Sequence, residues 1–129
     1  MTKIAAIQTS NAPAAIGPYS QAVKITHAQE LLYISGQLPI DQQTGLLVTF
    51  PAEATKQCMH NISAILTQAE MTLSNIVDVT IFLTDIKDFS AVNSAYESFF
   101  TQPYPARATI QVAALPKGAC VEIKATAVK

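Results

Sequence analysis

The spacing of the apolar residues changes along this chain of 129 residues, and that change restricts the fold more than any other feature. From Ala52 to Glu70, apolar residues recur every three or four positions, as they do on one face of a helix. Pro51 precedes this segment, and proline is tolerated in the first turn of a helix. A second segment with helical spacing follows Asp88, a candidate N-cap, and ends before Pro103. We predict two amphipathic helices, whose apolar faces comprise Ala54, Cys58, Ile62, Leu66 and Ala69 in the first and Phe89, Val92, Tyr96, Phe99 and Phe100 in the second.

The other segments are typical of β-strands. Residues 76–84 alternate between apolar and other side chains, and β-forming residues dominate 3–8, 20–26, 30–37, 106–113 and 119–128. Local turn residues favour two hairpins, one around Thr26–Gln29 and one that joins the last two strands. The order of the elements predicts an α+β fold with both helices on one face of a sheet. No repeat, low-complexity segment or linker interrupts residues 1–129, so we predict a single domain.

Charged residues make up 13% of the chain, against about 25% in an average soluble domain. This low fraction favours a protein in which other subunits cover part of the surface. A polar but uncharged surface is the alternative. If the sheet face without helices is also apolar, we expect it to contact another subunit.

The composition also argues against several classes of function. The net charge is -1, so no basic surface for nucleic acid or anionic lipid is expected. No apolar run approaches the roughly 20 residues of a membrane span. The run after Lys3 is too short and mixed for a signal peptide. We expect a cytoplasmic protein, and we find no signature of a metal, phosphate or dinucleotide site.

Arg107, the one arginine of the chain, lies in PARATIQV, between a proline and an apolar strand. Alternation places it opposite the apolar face of that strand, and Glu122 has the same kind of position in the last strand. A guanidinium binds a carboxylate in two-point geometry, and a glutamate in a dry pocket can transfer protons. A structural salt bridge or two solvated residues would fit the same pattern.

Three further residues could line a site. Tyr19 ends the loop Ile16-Gly17-Pro18 and could present its hydroxyl, although a half-buried loop aromatic is an equal reading. Ser35 and Gly36 end a strand, and Gly36 would allow a ligand to approach the backbone closely. A bulge or a simple strand end would explain the same residues.

The two histidines and two cysteines carry weaker signals. A phosphodiester-cleaving pair of His27 and His60 is conceivable, but nothing in the sequence places them together. Cys58 lies on the apolar stripe of the first helix, so we expect it in the core. Cys120 could line a pocket with Glu122, yet no base that would activate its thiol is evident.

Four segments together resemble one known family over essentially the whole chain. They are NAPAAIGPYSQAV, YISGQLP, VNSAYESFF and PARATIQVAALPKGACVEI. The chain is similar to the RidA family (YjgF/YER057c/UK114). This resemblance implies a chorismate mutase-like fold with a mixed sheet, assembled as a homotrimer around a barrel-like core. It also implies that the last strand inserts between earlier strands, antiparallel to both, instead of forming the local hairpin.

The resemblance implies a cofactor-independent deaminase that hydrolyses 2-iminopropanoate and 2-iminobutanoate to 2-keto acids and ammonia. By motif, Arg107 would hold the substrate carboxylate and Glu122 would activate water and manage protons. Tyr19 and the backbone around Ser35 and Gly36 would line a pocket between subunits. A non-catalytic carboxylate-binding or regulatory protein is the alternative, and an endoribonuclease is a third reading.

The chain departs from the family pattern at two positions. Thr109 stands where deaminase-active members commonly have cysteine, although its backbone N–H could still bind a carboxylate oxygen. The change bears on substrate preference more than on activity. Glu70 stands where relatives often have glycine at the end of the first helix, so either the helix ends in a strained left-handed residue or the turn differs. Cys120 is not the family's cysteine and inherits no role from the resemblance.

Overall fold

The computed structural model describes all residues, 1–129. Its strands are β1 (Lys3–Ile7), β2 (Ala22–Thr26), β3 (Leu31–Gln37), β4 (Ile76–Leu83), β5 (Ala106–Gln111) and β6 (Val121–Val128), and its helices are α1 (Pro51–Gln68) and α2 (Phe89–Glu97). The predicted order of elements and the α+β class are confirmed. None of the helices has both the length and the apolar character needed to cross a membrane.

A mixed four-stranded sheet forms the centre of the molecule, with the strand order β3-β6-β4-β5. β6 is antiparallel to both of its neighbours, whereas β4 and β5 run parallel. The last strand therefore lies between two earlier ones, as the family resemblance implied. Parallel pairing of β4 and β5 requires a crossover connection, and α2 provides it.

The predicted hairpin around Thr26–Gln29 is wrong. β2 pairs with β1, from Lys3 opposite Thr26 to Ile7 opposite Ala22, and β3 pairs with β6 instead. His27 has a left-handed backbone (φ 59°), and the N–H groups of Gln29 and Glu30 then donate to the carbonyl of Lys129 at 2.9 and 2.8 Å. The turn thus directs the chain to the edge of β6.

Both helices pack on one face of the central sheet. The α1 stripe predicted from sequence is buried at Ala54, Cys58, Ile62 and Leu66, and Pro51 begins the helix. α2 contributes Val92 and Tyr96 to the same core, where they meet the inward side chains of β4 and β6. Asp88 precedes α2, but its side chain makes no capping bond; Asp85 accepts from the N–H of Lys87 at 2.9 Å instead.

The face of the sheet that carries no helix is mixed in character. Phe82 and Glu122 face each other there across β4 and β6, and Tyr33 and Thr126 do so across β3 and β6. Tyr33 is 71% exposed and Ile110 on β5 is 44% exposed. We call this surface the open face.

Candidate functional site

Arg107 lies on the helix-covered face of the sheet, at the start of β5. It pairs with Val79 of β4, and Val79 pairs in turn with Ala125 of β6; both partners are about 1% exposed in the core. Because paired residues project to the same side of a sheet, the guanidinium extends towards α2. The pattern of β5 suggested a polar side, but this side is covered by a helix.

Neutral and aromatic groups surround the guanidinium of Arg107. Its Nη1 donates to Oδ1 of Asn93 at 2.7 Å, and its central carbon lies 5.1 Å from the ring centre of Tyr96, 5.5 Å from that of Tyr19 and 6.0 Å from that of Phe89. Rings at such distances attract a cation through their π-faces. Burial lowers the pKa of Arg107, while Tyr96 and Tyr19 oppose the shift. The side chain remains a cation, because arginine does not lose its proton in proteins.

Tyr19 reaches this site because the loop before β2 is tied to the start of β5. The N–H of Ser20 donates to the carbonyl of Pro105 at 3.1 Å, and Ser20 forms a parallel bridge with Ala106. The side chain of Gln21 bonds to the backbone of Thr9, Ala12 and Pro13, which holds the loop closed. The structure therefore brings the ring of Tyr19 and the guanidinium of Arg107 together.

Glu122, Ser35 and Gly36 form a second group, on the open face. The register of β3 against β6 shifts between Ile34 and Gln37, so Ser35 and Gly36 lie in an irregular segment of β3. Glu122 lies against Gly36: a Cβ atom on this glycine would overlap the carboxylate and lie 2.7 Å from Cδ. Gly36 is needed here because the Glu122 side chain occupies the space of its missing side chain.

The two groups lie on opposite faces of one sheet. Glu122 pairs with Phe82 and Arg107 with Val79, which are three residues apart on β4 and therefore project to opposite sides. β4 separates the two strands, so the spacing of a sheet puts the two Cα atoms roughly 14 Å apart. A single chain does not combine Arg107 and Glu122 in one pocket.

Arg107 and Glu122 do not form a salt bridge with each other. The ion pair of this chain joins Lys56 and Glu53, at 3.5 Å, on the surface of α1. Two clefts of about 530 and 500 Å³ are present near the β1–β2 pair, but neither is lined by Arg107 or Glu122. Tyr19 lines the smaller cleft.

Thr109 follows Arg107 on the same face of β5. Its Oγ1 is buried without a hydrogen-bond partner, so the hydroxyl points into the protein. Val112 donates its N–H to Leu83 of β4 at 2.7 Å. Because successive N–H groups alternate between the two edges of a strand, the N–H of Thr109 points away from β4. At that edge of β5, the loop before β2 forms one isolated bridge, between Ser20 and Ala106.

The histidines and cysteines lie elsewhere. His60, on α1, packs edge-on against Phe99 at 5.3 Å, while His27 lies in the turn after β2. Cys58 is fully buried in the core, as expected. Cys120 donates its thiol to the carbonyl of Thr49, and burial raises its pKa, which makes it a poor nucleophile. No three His, Cys, Asp or Glu side chains cluster as metal ligands would.

Asn93 is a residue of the site that the sequence pattern alone does not mark. It lies one helical turn after Phe89 and three residues before Tyr96, so the three share the face of α2 that points at Arg107. A polar residue beside an apolar helical stripe was the available signal. Its partner could not be found locally, because Arg107 is 14 residues away in the chain.

The chain matches known proteins over nearly its whole length. A family model described as endoribonuclease L-PSP matches residues 9–129. A 2-iminobutanoate/2-iminopropanoate deaminase of Bos taurus is 52% identical over 124 residues, which cover 95% of this chain and 88% of the bovine protein. The RutC family protein y4sK of Sinorhizobium fredii is 51% identical over 120 residues, which cover 92% of this chain and 93% of that protein.

Solved structures agree with these matches. The crystal structure of RidA from the Antarctic bacterium Psychrobacter sp. is 43% identical, with a TM-score of 0.75 over 97% of this chain and 99% of the other. E. coli TdcF with bound serine is 37% identical, with a TM-score of 0.74 over 97% of this chain and 98% of the other. Sequence and fold therefore agree that the chain belongs to the RidA (YjgF/UK114) family.

Proposed function

We propose that this protein hydrolyses small reactive 2-imino acids, such as 2-iminopropanoate and 2-iminobutanoate, to 2-keto acids and ammonia. The observation that supports this most is the state of Arg107, a half-buried guanidinium bonded to one neutral side chain and to no carboxylate. Arginine has five N–H donors, and Asn93 accepts from one of them. The carboxylate of an imino acid can take two of the other four in the planar two-point geometry that arginine favours. Relatives about 50% identical are named as deaminases of these substrates.

The backbone of β5 offers a further donor to the same carboxylate. The N–H of Thr109 points to the edge of β5 that is away from β4, on the strand that carries Arg107. In this proposal the N–H of Thr109 binds a carboxylate oxygen and its side chain does not. Threonine in place of the cysteine common among relatives is then compatible with activity, since the hydroxyl is turned into the protein.

We propose that Glu122 reaches the substrate from a second copy of the chain. Arg107 and Glu122 of one chain lie on opposite faces of the sheet, so an assembly must bring the open face of one copy next to the Arg107 pocket of another. A contact between copies that buries the open face would explain two observations. These are the exposed apolar side chains of Tyr33 and Ile110 on that face and the low fraction of charged residues in the chain. The arrangement we propose is the homotrimer with sites between subunits that the family resemblance implies.

The proposed reaction requires orientation and one proton carrier. The carbon of a protonated imine is already electrophilic, so once Arg107 holds the carboxylate, a water on Glu122 can attack that carbon. The C–O bond forms as a proton passes to Glu122, which gives a tetrahedral carbinolamine. Glu122 then returns the proton to the nitrogen, the C–N bond breaks and ammonia leaves. Glu122 takes the proton of the remaining hydroxyl, which gives the 2-keto acid, and passes it to the departing ammonia, so that the carboxylate is restored and ammonium is released. Tyr19, whose ring centre lies 5.5 Å from the central carbon of the guanidinium, would line the pocket.

Removal of Arg107 tests the proposal directly. In a coupled assay with threonine dehydratase, the wild type should accelerate imine decay, and Arg107→Ala should lower kcat/KM by at least a hundredfold while leaving the assembly size intact by light scattering. Arg107→Lys should recover part of the activity, because it keeps the charge and loses the two-point geometry. Lys24→Ala, which removes an exposed positive charge from β2, should behave like the wild type. Full activity in Arg107→Ala would rule out the assigned role.

A second variant distinguishes the deaminase from a non-catalytic binder. Glu122→Gln should abolish hydrolysis yet keep measurable affinity for 2-ketobutyrate in calorimetry. A binding protein would retain that affinity and show no hydrolysis in the wild type either. RNA cleavage by highly purified wild type that falls steeply with salt would favour the ribonuclease suggested by the name of the family model.

A further inference from the structure

Asn93 is the one side chain that holds the guanidinium of Arg107 through a hydrogen bond in this chain. The distance from Nη1 of Arg107 to Oδ1 of Asn93 is 2.7 Å, and both side chains are partly buried. Phe89, one turn before Asn93, and Tyr96, three residues after it, place their rings at 6.0 and 5.1 Å from the same guanidinium. One face of α2 therefore determines where Arg107 points.

The acceptor on that helix face is neutral, and its neutrality has a consequence for ligand binding. A carboxylate at the position of the Asn93 amide would form a charge-assisted pair with Arg107 at the same distance. That pair would cancel the positive charge and occupy donors that an incoming carboxylate needs. An amide oxygen accepts one hydrogen bond and leaves the net charge and four N–H groups in place.

Orientation matters here because a long arginine side chain has many rotamers. Two-point binding requires that the plane of the guanidinium be set before the ligand arrives, since ordering it on binding lowers affinity. The aromatic rings restrict the guanidinium to a slot, and the bond to Asn93 selects the rotation within it.

We propose that Asn93 is a positioning residue that orients Arg107 and, by being uncharged, keeps Arg107 available to a carboxylate ligand. This inference rests on the proposed function, because it assumes that the ligand of Arg107 is a carboxylate. Asn93 itself is not assigned any contact with the substrate.

Two substitutions of Asn93 separate this role from a structural one, because the two roles predict opposite orders. A purely structural hydrogen bond is lost in Asn93→Ala and kept or strengthened in Asn93→Asp, so Asn93→Ala would be the worse variant in every assay. In our proposal Asn93→Asp binds 2-ketobutyrate most weakly, at least tenfold below wild type, while its melting temperature equals or exceeds that of the wild type. Asn93→Ala should lose affinity about threefold and melt at a lower temperature.

The measurements are calorimetric titration with 2-ketobutyrate, thermal melting, and separate kcat and KM values in the imine assay. The loss in Asn93→Asp should appear in KM more than in kcat, because the bond acts on carboxylate binding. Ser94→Asp is the matched control: it adds the same charge one residue later at an exposed position of α2 and should bind like the wild type.

The outcomes keep the two proposals apart. If wild type neither binds 2-ketobutyrate nor hydrolyses imines, the proposed function fails. If wild type binds and Asn93→Asp binds as tightly as wild type or more tightly than Asn93→Ala, the positioning role of Asn93 is wrong while the function stands.

Discussion

Gly36 and Glu122 depend on each other at the level of single atoms. Glu122 occupies the space where a side chain on residue 36 would be, and it does so at an irregular point of β3. The glycine is therefore required by the packing of a candidate catalytic carboxylate and not by its own backbone angles. Arg107 also has a neutral neighbour, Asn93, which accepts a hydrogen bond from its guanidinium.

We predict that Gly36→Ala displaces the Glu122 carboxylate and lowers kcat for imine hydrolysis at least tenfold. A Cβ atom at residue 36 would lie 2.7 Å from Cδ of Glu122, which is closer than real contacts allow. Affinity for 2-ketobutyrate should fall less, since Arg107 is unchanged. A kcat equal to that of the wild type in Gly36→Ala would show that the position of Glu122 is unimportant.

At the scale of elements, α1 is followed by a strained residue, as one of the two predicted alternatives had it. Glu70, exposed and just after the C-cap Ala69, has φ 58°, a left-handed conformation that favours glycine. The N–H of Met71 donates back to the carbonyl of Leu66 at 2.8 Å, which closes the turn. The Glu70 carbonyl accepts from Nζ of Lys129 at 2.9 Å, so the turn is also linked to the C-terminus.

We expect Glu70→Gly to stabilise the protein by about 1 kcal/mol, because a left-handed non-glycine residue costs about that much. Glu70→Ala should not, since alanine keeps the Cβ atom that causes the strain. Urea unfolding of both variants against wild type measures the difference. If Glu70→Gly were no more stable than Glu70→Ala, backbone strain would not be the relevant cost.

At the scale of the whole molecule, the burial of one thiol makes the stability of the fold depend on pH in the alkaline range. Cys58 is fully buried between α1 and the sheet, and burial raises its pKa from 9.0 to about 12. Burial also raises the pKa values of Tyr96 and Cys120. A group whose pKa is raised by folding supports stability below its unfolded pKa, and that support is lost as the pH rises towards the folded value.

We predict that the free energy of unfolding falls between about pH 9 and pH 12, with Cys58 responsible for up to roughly 4 kcal/mol of the fall. Urea midpoints at pH 8, 9, 10 and 11 provide the measurement. Cys58→Ala will be less stable at pH 8 because it leaves a cavity, yet its decline above pH 9 should be shallower. Parallel declines in the two proteins would mean that Cys58 does not titrate on unfolding.

The assembly is the other feature that belongs to this scale. Exposed apolar residues on the open face, such as Tyr33 and Ile110, lie on the side of the sheet that carries Glu122. An assembly that buries this face would both cover these residues and complete the proposed site. Catalysis would then depend on association, and dilution below the dissociation constant should lower the specific activity together with the measured mass.

The sequence by itself determined the order of the elements and the buried faces of α1, β4 and β6. The stripe of α1 and the alternation of β4 follow from local periodicity, because burial on one side imposes that periodicity. On β5 the same reasoning failed, because Arg107 lies on the helix-covered side and the apolar Ile110 on the open face. Family motifs extended this to the insertion of β6 and to Glu122. The turn residues at Thr26–Gln29 led to the wrong hairpin prediction. β3 instead pairs with β6, about 90 residues later in the chain, and Ile34 is buried there.

Tertiary structure alone decided which residues meet. Strand order places β4 between Arg107 and Glu122 and register puts them on opposite faces, and neither can be read from the alternation within one strand. Asn93 is a partner of Arg107 because α2 lies next to the start of β5 in the folded chain. The physical reason is the same in each case. Periodicity indicates whether a side chain is buried, whereas long-range pairing determines which residues that side chain packs against.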